Sequence, residues 1–185
     1  MKLKNNLIKA VIAAMLLSLA LVLPFFTGQL QTLGNALCPM HLPVLLCGFF
    51  CGPVYGCIIG AVAPLLRFAI FSMPPIMPKG LAMCFELAAY GLLSGLMYKL
   101  LPKKKIYIYV SLIIAMLSGR VVWGVIRAAL YGIGRYEFGL KFFVTEAFLE
   151  SVPGIVLQII LIPVLVMIIE KAFPDLNIKN SVRGR

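Results

Sequence analysis

Six ionisable residues, Arg67, Glu86, Arg120, Arg127, Glu146 and Glu150, interrupt long apolar runs in this chain. Such groups cost roughly 2.5–3.5 kcal/mol each in the middle of a bilayer even on lenient insertion scales, so they face a bundle interior or a wet cavity. A guanidinium offers forked donors that match a carboxylate, so the set can hold a polar ligand or pair with itself. Tyr90 follows Glu86 by one helical turn, and Trp123 lies between Arg120 and Arg127. Aromatic faces beside charged groups resemble the walls of a small-molecule pocket. The opposing reading is a set of Arg–Glu pairs that only holds helices together.

The elements that must carry these residues are set by composition. Of 185 residues, 62% are hydrophobic and 12% charged, with mean hydropathy +1.04, which excludes a soluble domain and a disordered chain. Apolar runs of about 20 residues indicate membrane-spanning helices, and the alternating segments of a membrane barrel are absent. Six spans are predicted: about Leu7–Phe26, Met40–Cys51, Val54–Ser72, Gly80–Leu101, Ile106–Tyr131 and Phe142–Ala172. The second is short for a full crossing and can be tilted or partly re-entrant where protein covers it. The expected fold is therefore all-α and integral to the membrane, a single six-helix bundle over residues 1–172 with a polar cytoplasmic tail over 173–185.

A net charge of +11 can signal nucleic acid, but its distribution argues for topology instead. Lys2, Lys4, Lys9, Lys99, Lys103, Lys104, Lys105, Lys171, Lys179, Arg183 and Arg185 cluster at the chain ends and one loop, and only Lys79, Arg135 and Lys141 fall in the opposite loops. By the positive-inside rule both termini are expected in the cytoplasm, with a lipid bilayer and no nucleic acid as the surroundings. The first apolar run is as long as a full span and lacks a small-x-small cleavage site, so it reads as an uncleaved helix.

Counting 1.5 Å per residue from the predicted span ends puts Arg67 and Arg120 about 20 Å above the cytoplasmic face and Arg127 about 31 Å above it. The same count puts Glu86, Glu146 and Glu150 about 6–12 Å below the outer face, so all six fall in the outer third. On the fifth helix Arg120, Trp123, Gly124, Arg127 and Tyr131 share one stripe, while Val122, Val125, Ile126 and Ala129 turn away. Met83, Glu86 and Tyr90 align on the fourth, and Glu146, Glu150 and Pro153 on the sixth.

Cys38, His41, Cys47 and Cys51 do not match a zinc spacing, and small cysteines packed inside a bundle are the preferred reading, with no metal. His41 reads as a helix-start residue near the outer surface. No catalytic constellation or nucleotide-binding motif is present in the sequence, so an enzyme is not expected and ATP-driven work requires a partner. Gly48, Gly52, Gly56 and Gly60 recur every four residues and suit close helix packing within the chain. Ala10 and Ala14, with Ala13 beside them, form a second small-residue face that suits either internal packing or a partner helix.

The run Gly48-Phe49-Phe50-Cys51-Gly52-Pro53-Val54-Tyr55-Gly56 with Gly60, the Ala10-Val11-Ile12-Ala13-Ala14 face, and Ser151-Val152-Pro153-Gly154 with Gln158 carry a family resemblance. On these residues, its size and its six spans, the chain resembles a substrate-binding (S) component of an energy-coupling factor (ECF) vitamin transporter of the riboflavin, folate and pantothenate branch. The resemblance implies capture of a water-soluble vitamin in an outer-half pocket, under a loop over Thr27–Leu37 with Gln29, Gln31 and Asn35 as polar contacts. It also implies a transmembrane coupling subunit that docks on Ala10, Ala13 and Ala14, and two cytoplasmic ATPases. ATP is then used by the partners, with no cofactor bound by this chain, in the plasma membrane of a bacterium. The substrate-binding residues expected are Arg67, Glu86, Tyr90, Arg120, Trp123, Arg127, Glu146, Glu150 and Asn35. Two other classes stay open at this point: a stand-alone proton-coupled permease working through its glutamates, and an assembly protein whose charges are only packing pairs.

Overall fold

The computed structural model describes residues 2–26, 37–72, 75–102, 104–134, 145 and 151–172. Among them the regular structure is helical: α1 (Lys2–Phe26), α2 (His41–Cys51), α3 (Pro53–Phe71), α4 (Leu81–Leu100), α5 (Ile106–Gly134) and α6 (Val152–Ala172), with a π turn at Ile76–Gly80 before α4. All but α2 are long and apolar enough to cross a membrane. The 11 residues of α2 reach only about 16 Å, half of a hydrocarbon core. The described helices lie close to the expected bounds, with α5 running on to Gly134. The expected start of the sixth span at Phe142 lies, save for Thr145, in a stretch outside the described residues.

The break between α2 and α3 is local chemistry. Gly52 adopts φ 102°, a conformation side chains rarely tolerate, and Pro53 opens the next helix at a position where no N–H is needed. The two helices fold back on each other so that a Cβ on Gly56 would meet Gly48. Across from this hairpin, Gly56 faces the Gly91 carbonyl, Gly60 the Leu87 carbonyl, and Gly95 the Pro53 nitrogen, each at a separation that leaves no room for a Cβ. The four-residue glycine repeat is thus an internal seam against α4, as expected from dispersion-driven packing between lipid-immersed helices.

Contacts along the chain fix the helix directions. Tyr55 donates to the Asn6 carbonyl and Arg67 to the Leu21 carbonyl, so α1 and α3 run parallel. The Gly56–Gly91 and Gly60–Leu87 pairs set α4 antiparallel to α3, and the Glu86–Arg120 pair with the Gly119–Tyr90 contact sets α5 antiparallel to α4. Successive helices alternate in direction. α4 is the central element, packed on α2, α3 and α5, with Leu87, Tyr90 and Ser94 fully or almost fully buried. Leu7, Val11 and Met15 on α1, and Ile160 and Ile168 on α6, lie exposed, forming apolar surface suited to lipid tails.

Candidate functional site

The site is built around Glu86, on the second turn of α4 and 1% exposed. Its Oε1 receives the Arg120 guanidinium at 3.0 Å from α5 and the Tyr90 hydroxyl at 3.0 Å from one turn further along α4. The Nε2 of His41, the first residue of α2, lies 3.5 Å from the same oxygen. The His41 ring also leans on Tyr90, with centroids 5.2 Å apart. A carboxylate isolated in this bundle would be prohibitive, and the paired, hydrogen-bonded arrangement is what makes it tolerable. Three helices are thereby tied at one oxygen atom.

A second layer sits on Arg120. Its other terminal nitrogen reaches the Cys38 thiol at 3.6 Å. Cys38 adopts φ 46°, a left-handed backbone that is uncommon outside glycine, and its carbonyl accepts from the His41 N–H at 3.0 Å and from the Gln158 side chain at 3.4 Å. Cys38, three residues ahead of α2, therefore joins α5 and α6 at the level of Glu86. One and two turns beyond Arg120, Trp123 and Arg127 are buried as well, and the Arg127 guanidinium lies over the Trp123 ring at 5.0 Å. Ala82 of α4 and Ile126 pack against that ring.

The structure thus brings Glu86, Tyr90 and Arg120 together and places Trp123 and Arg127 on the adjoining stripe of α5. Arg67 goes elsewhere. Its guanidinium donates to the Leu21 carbonyl at 3.0 Å and lies 5.6 Å from the rings of both Phe25 and Phe71, at the end of the α1–α3 pair. It lies five positions before the Ser72 cap of α3, and Glu86 lies six beyond the Gly80 cap of α4, so both occupy the same end of the bundle in separate clusters. Asn35, Glu146 and Glu150 lie outside the described residues. The stripe on α5 is also wider than the spacing implied, since Ile126 is half-buried against Trp123, while Val125 and Ala129 face outward as expected.

Two residues of the cluster escaped the sequence reading. His41 opens α2 as expected, but it is 4% exposed and lies against Glu86. Cys38 contributes chemistry through its thiol and its carbonyl, not only volume. The available signal was their spacing: three residues apart, ahead of a proline, they enter the bundle together at the start of α2. Cys47 and Cys51 do behave as buried packing residues of α2.

With this geometry in place, the comparison with known families is decisive: the family model described as the ECF transporter substrate-specific component matches residues 8–169. The chain belongs to that family. ECF S components are substrate-binding membrane subunits of transporters and not a family of enzymes. Neither a curated protein nor a solved structure matches this S component. Its alanine face divides in two in the structure. Ala10 and Ala14 are exposed, whereas Ala13 is 3% exposed within the subunit's own core. Ala13 therefore cannot offer its side chain to a partner helix, because α1 turns it towards its neighbours α2 and α3.

Proposed function

We propose that this S component captures a water-soluble vitamin or related micronutrient from outside the cell and delivers it through a transmembrane coupling subunit driven by two cytoplasmic ATPases. The observation that carries the reading is the buried Glu86–Arg120–Tyr90–His41 cluster set beside the Trp123–Arg127 stack, in a bundle whose described core is mainly apolar. Glu86 and Arg120 neutralise each other and form a rigid polar floor, while the stacked guanidinium and indole offer a charged edge and an aromatic face. A ring-bearing polar molecule satisfies both. The exposed alanines of α1, Ala10 and Ala14, are the proposed seat of the coupling subunit. The proposed setting is the plasma membrane of a bacterium with both termini in the cytoplasm.

The experiment is uptake of labelled vitamins by cells expressing this chain with and without the ATPases. Uptake is expected to vanish without the ATPases and to survive an uncoupler. Uptake that persists without them and collapses with the proton gradient would overturn the reading in favour of a proton-coupled permease working through Glu86.

A further inference from the structure

His41 is the single histidine of the chain and is 4% exposed inside the Glu86 cluster. Its Nε2 lies 3.5 Å from the Glu86 carboxylate without completing a hydrogen bond, and its Nδ1, also sealed from solvent, has no hydrogen-bond partner. Buried polar atoms are nearly always paired in native proteins, so an unpaired imidazole nitrogen at the centre of a polar cluster calls for a partner supplied from outside the chain. The carboxylate decides which nitrogen carries the proton of the neutral ring. An anionic oxygen repels a lone pair and attracts an N–H, so the proton sits on Nε2 and the lone pair on Nδ1. Bulk water does not reach that nitrogen.

We propose that His41 is a specificity-determining residue of the capture site, accepting through Nδ1 a hydrogen bond from an N–H or O–H group of the bound molecule. This rests on the capture reading above and narrows it to molecules that present a donor, such as a heterocyclic N–H, an amide or a hydroxyl, at the level of Glu86. The residues that hold the ring suit the role. Glu86 fixes one edge, Tyr90 supports the ring face, and the Cys38 carbonyl anchors the His41 backbone at 3.0 Å. A site built to meet a donor rejects analogues that lack it, because the nitrogen is then left unpaired.

The test uses the purified full chain and three probes, riboflavin, folate and pantothenate, in calorimetric titrations of wild type, His41→Phe, His41→Asn and His41→Gln. An asparagine amide ends at the level of Nδ1 and a glutamine amide at the level of Nε2. For a vitamin that wild type binds, His41→Phe and His41→Gln are expected to weaken binding by about tenfold or more, and His41→Asn by much less. Equal affinities throughout, or retention by His41→Gln and loss by His41→Asn, would overturn the inference while leaving capture intact. Binding of none of the three by wild type would overturn the capture reading for this branch and the inference with it. Should the variants fail to fold, wild type labelled with 15N-histidine decides, since one ring gives one pair of nitrogen resonances. The expected result is a proton on Nε2 and a bare Nδ1 whose resonance moves when the vitamin is added. A proton on Nδ1, or an Nδ1 resonance that does not move, would overturn it.

Discussion

At the residue scale, Glu86 and Arg120 cannot be understood separately. Removing the guanidinium leaves a carboxylate buried without its charge partner, a change that typically costs about 3–5 kcal/mol, whereas removing both charges at once is close to neutral. Arg120→Met is therefore expected to lower the melting temperature in detergent sharply, and Glu86→Gln combined with Arg120→Met to recover most of the loss. Equal melting of the single and double variants would show that the pair is not coupled. The Arg127 guanidinium lies over the Trp123 ring, and Arg127→Met should weaken vitamin binding by about 2–3 kcal/mol if the guanidinium meets the ligand in a desolvated site, as proposed. Much of this layer was legible from spacing, because Arg120, Trp123 and Arg127 repeat at helical intervals and Tyr90 follows Glu86 by one turn. Arg67 was not legible. Its partners are a carbonyl on α1 and two phenylalanines, and nothing in the spacing of α3 distinguishes a carbonyl on a neighbouring helix from a carboxylate. His41 was missed for a related reason: a lone imidazole carries no periodicity, and only the α2 hairpin turns it onto Glu86.

At the element scale, the bundle depends on backbone contact along α4. A methyl at Gly91 would strike the Gly56 carbonyl, and one at Gly60 the Leu87 carbonyl, where no flexible side chain can yield. Gly91→Ala is expected to destabilise the fold by about 1–3 kcal/mol, the usual cost of overpacking, read as a lower melting temperature. An unchanged melt would mean that α3 and α4 can separate without loss. The glycine repeat was readable as close packing before any coordinates, since the residues recur at the helical interval on both sides of Gly52-Pro53. Which helix it packs against was not, because nothing in the spacing of Gly91 and Gly95 on α4 marks the α2–α3 hairpin as their partner. The alanine face of α1 makes a second element-level prediction. Ala14→Trp should abolish uptake and leave vitamin binding by the isolated subunit nearly intact, because Ala14 is exposed. Ala13→Trp should instead lower the melting temperature, because Ala13 lies in the core. Loss of binding with Ala14→Trp would place that residue in the subunit's own packing.

At the scale of the whole molecule, apolar length and the asymmetric lysines indicate an all-helical membrane bundle, and the helix directions bring Arg67, Glu86 and Arg120 to one end of it. The proposed topology, argued from the charge distribution, has Lys104, in the loop between α4 and α5, facing the cytoplasm. A cysteine introduced at position 104 is expected to resist membrane-impermeant reagents in intact cells, and labelling from outside would sink the six-span arrangement. What composition alone does not convey is that the Glu86–Arg120 cluster and the exposed Ala10 and Ala14 occupy different regions of one subunit, so under the proposed function capture and delivery can fail independently. The most direct test of capture is mass spectrometry of the small molecule retained by the detergent-purified chain, without coupling subunit or ATPases. The account predicts one donor-bearing vitamin or close relative retained in stoichiometric amount by wild type and lost from a folded Arg127→Met variant. A folded wild-type chain that retains no small molecule, even after growth in vitamin-rich medium, would contradict it.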